Sequence, residues 1–439
     1  MATSRFRWPA ALATFALALY LAAAFAGQCE RSLFLPGETS AGHHQIELAC
    51  ESCHTRFGGR AALEEACVRC HAEQLAAVHD SHPRTKFTDP RNADRVALLD
   101  ARFCTTCHVE HQPERTRAGG LSLPRDYCVR CHEDIAADRP SHAGVAFDGC
   151  ASGGCHNFHD NQALYEDFLI AHAGEPPLRP EPRVTARLAR TNHEKALTAS
   201  EHDAPVHASD AAVIAEWAVS AHARGGVNCS RCHGSGVRWR DAAPLRACEE
   251  CHDDESATFR TGKHGMRIAA GLSPMRPALA RLPMKRDAAQ RELDCGACHG
   301  AHDADTRAAA VDACLGCHDD AHSLAYQGSP HAALWRAEQR GESAPRSGVS
   351  CASCHMPRRD AFGGGVAAHH DQNANLRPNE KMVRSVCLAC HGLGFSLDAL
   401  ADDALVRRNF AGAPARVVES IAWAEERKKA DRESARREP

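Results

Sequence analysis

Aromatic side chains make up only 5% of this 439-residue chain, too few to build ordinary hydrophobic cores. With 31 glycines and 22 prolines, long regular elements are disfavoured as well. Lysine is almost missing: seven of the 52 basic residues are lysines and the rest are arginines. A formal charge of −4 leaves no basic excess to hold a phosphate backbone, which argues against nucleic-acid partners. Arg5 and Arg7, ahead of the one long apolar run, are not adjacent, so a twin-arginine export signal is missing too.

Cysteine and histidine are what the chain has instead. Of 23 cysteines, 22 fall into eleven motifs. Ten have the spacing Cys-x-x-Cys-His: Cys50, Cys53 and His54; Cys67, Cys70 and His71; Cys104, Cys107 and His108; Cys128, Cys131 and His132; Cys229, Cys232 and His233; Cys248, Cys251 and His252; Cys295, Cys298 and His299; Cys314, Cys317 and His318; Cys351, Cys354 and His355; Cys387, Cys390 and His391. The eleventh, CASGGCH, has two extra residues between Cys150 and Cys155 before His156. Two thiols so placed form thioethers to the vinyl groups of a haem, and the following imidazole binds the iron as proximal ligand. A zinc site would group cysteines in fours with no obligatory histidine after every second one. A redox dithiol or a disulfide scaffold gives no reason for eleven histidines. The pattern predicts eleven covalent c-type haems.

Eighteen histidines stand outside the motifs: His43, His44, His79, His82, His111, His142, His159, His172, His193, His202, His207, His222, His264, His302, His322, His331, His369 and His370. They are candidates for the second axial position, and bis-His coordination of most irons is expected. The first choices are His44, His82, His111, His142, His159, His172, His222, His264, His302, His322, His331 and His369. Met266, Met275, Met284, Met356 and Met382 could substitute occasionally. His111, His159 and His302 follow a proximal histidine by three residues and His322 by four. Each sits about one turn along, on the wrong side for its own motif's iron, and should bind a neighbouring one. Such crossed ligation would tie adjacent motifs together.

Haems must then supply the core. The expected fold is mainly α with extensive loops, short helices wrapped around closely packed haems, and little sheet. Compact packing of the motif-bearing region puts haem centres roughly 19 Å apart or closer. The short linkers between His54 and Cys67, His233 and Cys248, and His299 and Cys314 suggest stacked pairs. Residues 1–28, with an apolar run from Pro9 to Gly27, read as a signal peptide or an N-terminal membrane anchor. Cleavage after Ala26 and lipidation of Cys29 are the competing fates, and each exports the bulk of the chain to the periplasm. Residues 29–172 then form a pentahaem domain, 173–210 a Pro-rich linker, 211–395 a hexahaem domain and 396–439 a charged tail. In that tail Val417, Ile421 and Ala424 at helical spacing predict a docking helix with a frayed end.

Ser329-Pro330-His331, followed by GVSCASCHMPR from Gly348 to Arg358, is joined by CHGAHD from Cys298 to Asp303 and by His222 ahead of GGVNCSRCH. On these residues the stretch from Val219 to Gly392 resembles the superfamily of pentahaem nitrite reductases, octahaem hydroxylamine oxidoreductases and octahaem tetrathionate reductases. The resemblance implies that His331 and His222 each cap a haem. The first half resembles cytochrome c3-like and doubled-CXXCH proteins, and the long motif at Cys150 is similar to one that recurs in tetrahaem cytochromes c3. The nitrite and tetrathionate reductases mark a catalytic haem with a lysine in place of the motif histidine, and the hydroxylamine oxidoreductases with a tyrosine cross-link. No motif here ends in lysine, and only Tyr127, Tyr165 and Tyr326 lie beyond the N-terminal segment. The expectation is an electron carrier, not an enzyme, periplasmic or membrane-associated, with a quinol dehydrogenase or other cytochromes as partners. The alternative is an oxidoreductase acting on nitrite, hydroxylamine or tetrathionate at one five-coordinate haem.

Overall fold

The computed structural model describes residues 7–25, 31–55, 59–116, 120–124, 127–139, 142, 157–160, 164–181, 195–360, 365–376, 381–415 and 417–436. The fold is mainly helical, and many helices are a turn or two long and begin at a motif, as in Cys50–Cys53, Cys104–Cys107, Cys229–His233, Cys295–His299 and Cys351–His355. Among the described residues the only sheet is an antiparallel pair, Arg358–Asp360 with Val366–Ala368. Several motif turns carry a cap just ahead of the first cysteine. Asn228 accepts from the amide of Cys229, Asp294 from that of Ala297 and Ser350 from that of Ser353. So short a helix has few internal hydrogen bonds, and the cap satisfies amides left bare at its start.

One conventional hydrophobic core is present. Leu164, Leu169 and Ala173 pack with Val383, Leu393, Leu397, Ile421 and Ala424. This joins helix Glu166–His172 to helix Leu393–Ala401 and to the C-terminal helix Glu419–Ala435. The tail docks as its spacing predicts through Ile421 and Ala424, although Val417 precedes the helix and is exposed. Lys428 donates to the carbonyls of Ala171 and Ala173 at 3.1 and 2.7 Å, where helix Glu166–His172 ends with bare acceptors.

The start of the Pro-rich stretch lies against the last motif instead of spanning solvent. The amide of Arg179 donates to Cys390 O at 2.8 Å, and His391 Nδ1 donates to Pro177 O at 2.8 Å. Glu175 accepts from the Leu393 amide at 3.2 Å and from Arg179 at 3.0 Å. A run that fixes proline dihedrals suits such a wall as well as it suits a tether.

The two halves meet through residues 38–47 and 263–281. Lys263 donates to Ala41 O, Arg267 to Gln45 O at 3.1 Å and Arg281 to Thr39 O at 2.8 Å. Arg281 also pairs with Glu47 at 3.0 Å, and His44 Nε2 donates to Leu279 O at 2.7 Å. At the N-terminus, helix Arg7–Phe25 exposes Leu12, Phe15 and Leu17. Among the described residues no helix is long and apolar enough to cross a membrane.

Candidate haem-binding sites

Each described motif histidine faces one histidine from outside the motifs. The pairs are His54 with His111, His71 with His43, His108 with His159, His132 with His82, His233 with His302, His252 with His222, His299 with His370, His318 with His264, His355 with His322 and His391 with His331. Their ring centroids lie 5.9 to 6.4 Å apart. Metal–imidazole bonds of about 2 Å, with each nitrogen about 1.2 Å from its ring centre, set two opposed imidazoles about 6 Å apart. Each gap is therefore of the size that one iron held between two imidazoles would need, and a haem would supply that iron. Zinc would gather three or more ligands, and among the described residues no such group of His, Cys, Asp or Glu converges.

Tautomer and charge also suit ligation, which needs a neutral imidazole with Nε2 free. Nδ1 donates to a backbone carbonyl in His82 (Phe158, 2.6 Å), His108 (Gly120, 3.0 Å), His111 (Gly37, 2.8 Å), His233 (Arg240, 2.6 Å), His322 (Val406, 2.5 Å) and His370 (Ala368, 2.9 Å). In His43 and His159 the acceptor is a carboxylate, Glu110 at 2.7 Å and Asp80 at 3.1 Å. Burial, then repulsion from facing or nearby imidazoles, pushes His264 and His355 down to about 4. The same two causes lower His222 and His331. Burial would raise the Glu110 carboxyl, but hydrogen bonds from His43 and Ser40 outweigh it and bring it down to about 2, so the carboxylate stays ionised.

Two expected caps are turned elsewhere, and a third, His172, faces no described motif histidine. His43, not its neighbour, faces His71, while His44 is tied to Leu279 O and to Glu47 at 3.3 Å. Successive residues of a tight helical turn point in different directions, so only one of the two can face the gap. His370, not His369, faces His299; they follow strand Val366–Ala368, where successive side chains alternate faces. The His369 amide donates to Pro357 O and its buried Nδ1 has no hydrogen-bond partner. His172 donates to Glu175 at 2.8 Å and packs on Phe168. His142 is described, but the motif of Cys150, Cys155 and His156, like His193, lies outside the described residues.

Chain order and the facing pairs follow one rule. In five pairs of consecutive motifs, the histidine ahead of the first motif faces the proximal histidine of the second: His43 with His71, His82 with His132, His222 with His252, His264 with His318 and His331 with His391. The first motif of a pair is usually faced from further on, by a histidine after a later motif, as His54 is by His111, His108 by His159, His233 by His302 and His299 by His370. The last pair has no successor and borrows His322 from upstream for His355. His111, His159, His302 and His322 each face the histidine of a motif other than the one they follow.

Cysteine neighbours give the order of the sites. Cys53 lies near Cys67, Cys67 meets Cys104, and Tyr127 beside Cys128 senses Cys107. In the second half Cys232 lies near Cys248, Cys248 meets Cys295, Cys298 lies near Cys314, Cys314 meets Cys351 and Cys354 lies near Cys387 and Cys390. Among the described residues, each half is thus a string of adjacent sites in sequence order. A continuous cavity of about 2410 Å³ runs through the second half, lined by ten of these histidines, among them His222, His264 and His391. It is well beyond the size of a single small-molecule pocket.

Residues 42–133 match the family model of cytochrome c3. That match supports a multihaem c-type cytochrome. The matched stretch holds four motifs and three of the histidines that face them, His43, His82 and His111; the fourth, His159, lies beyond it. No solved structure matches the chain. His43 and His370 are the facing residues that the sequence reading passed over, and each adjoins the histidine it chose.

Proposed function

We propose that this cytochrome is a periplasmic electron relay of eleven covalently held, mostly bis-His haems. The observation that carries the reading is the set of ten facing imidazole pairs, arranged in two strings of adjacent sites. When bound, the haems supply the one-electron iron(III)/iron(II) couple. The chain's own residues prepare these ligands: backbone carbonyls and carboxylates accept from Nδ1 of His43, His82, His111, His159, His322 and His370, which leaves Nε2 as the ligating atom, and burial favours the neutral rings of His222, His264 and His331. Two strong ligands that stay in place on electron transfer suit a carrier, whereas turnover needs a position that opens. Electrons would come from a membrane quinol dehydrogenase or another cytochrome, with the N-terminal apolar segment directing export or holding the protein at the membrane. With haem propionates added to a protein charge of −4, nucleic acid is not a partner.

Mass spectrometry of the exported protein tests the count. Eleven haems are expected, one of them on Cys150 and Cys155, and ten with those two thiols free would remove the long motif. The oxidoreductase alternative draws on one observation. Asn409 Nδ2 lies 3.2 Å from His322 Nε2, the atom that would bind iron opposite His355. Carbon monoxide binding by a single haem of the reduced protein, abolished in Asn409→Leu, would favour that alternative; no binding favours the relay.

A further inference from the structure

The four described sites of the first half differ in what holds the Nδ1 of the non-motif imidazole. At the outer two a backbone carbonyl accepts: Gly37 O from His111 at 2.8 Å, facing His54, and Phe158 O from His82 at 2.6 Å, facing His132. At the inner two a carboxylate accepts: Glu110 Oε1 from His43 at 2.7 Å, facing His71, and Asp80 Oδ1 from His159 at 3.1 Å, facing His108. Both carboxylates are shielded, with side chains 29% and 20% exposed. Both are also held in place. Glu110 accepts from the amide and hydroxyl of Ser40 at 2.6 and 2.7 Å, and Asp80 from the amide of His82 at 3.2 Å.

A carboxylate that accepts the Nδ1 proton draws it toward oxygen and makes Nε2 a stronger donor, and its negative charge favours the more positive state of a bound iron. A neutral carbonyl does both more weakly. We propose that Glu110 and Asp80 are tuning residues that set the two inner sites of the first half at lower reduction potentials than the two outer ones. The proposal rests on the reading of these histidines as axial ligands. Reduction adds one electron to a site while the Nδ1 proton stays on its imidazole, so one positive charge beside the carboxylate is lost and no proton leaves. That loss is unfavourable next to Glu110 or Asp80. Among these four sites electrons therefore rest on the outer two and cross the inner pair as an uphill step.

Potentiometric titration of the full-length holoprotein, followed by low-spin haem EPR, is the test. Glu110→Gln and Asp80→Asn should each move one component from the low-potential end of the envelope to a higher value with every haem still low-spin, and Glu110→Asp should restore it. A component that stays put or falls, with all haems low-spin, would overturn the proposal. A high-spin haem in either variant would overturn it for that residue, because the carboxylate would then only position the imidazole. His43→Ala examines the underlying ligand reading separately: if no haem turns high-spin, His43 is not a ligand and Glu110 has no site to tune.

Discussion

His331 stands in the first turn of helix Pro330–Gln339, its ring 6.2 Å from that of His391 and 6.1 Å from that of Phe410. If it holds an iron, His331→Ala should turn one haem high-spin and leave the other spectra unchanged, and an unchanged spectrum would remove it from the ligands. The motif histidines were readable from sequence because the chemistry of thioether attachment fixes their spacing within one turn. The histidines that face them were readable only where spacing excluded the alternatives, as for His111 three residues after His108. Between His43 and His44, or His369 and His370, residue type carries no information, and the choice falls to backbone direction. Tyr326, a residue considered for cross-linking, instead donates its hydroxyl to Val349 O at 2.7 Å, and burial beside Cys351 pushes its pKa up.

Three of the facing histidines share one local device. Ser220, Asp320 and Ser329 are N-caps, and His222, His322 and His331 follow two residues later in the first turn. The cap fixes where the helix starts and hence where the imidazole points. Ser329→Ala should cost about 1 kcal/mol in denaturant unfolding of the holoprotein, and no change in midpoint would show that the haems alone fix this turn. The Ser-x-His pattern is visible in the sequence. The wall made by residues 175–179 against His391 is not, because it joins positions more than two hundred residues apart. In the core beneath that wall, fully buried Leu393 packs with Leu164 and Ile421. Leu393→Ala should destabilise this region by about 3 kcal/mol and expose the C-terminal helix to proteolysis; unchanged protection would mean that the tail docks by other contacts.

Among the described residues the molecule is two strings of sites, and one of their junctions is where residues 263–281 grip the carbonyls of residues 39–45. Lys263 reaches Ala41, two residues from His43, and adjoins His264, so this contact lies beside the histidines that face His71 and His318. No sequence pattern marked this junction, since arginine and lysine donors to backbone carbonyls leave no spacing signature. Arg267→Ala with Arg281→Ala should loosen it and raise the radius of gyration in solution scattering, while an unchanged radius would place the grip elsewhere. What the sequence did convey at this scale, scarce aromatics and dense motifs, follows from cofactors filling the space that side chains fill in other proteins.

The central claim is that facing imidazoles, not open irons, define these sites. Quantitative EPR with near-infrared magnetic circular dichroism on the oxidised protein counts each class of iron directly. The account predicts that at least ten of the eleven haems are low-spin with two nitrogen ligands; several high-spin or His–Met haems would contradict it.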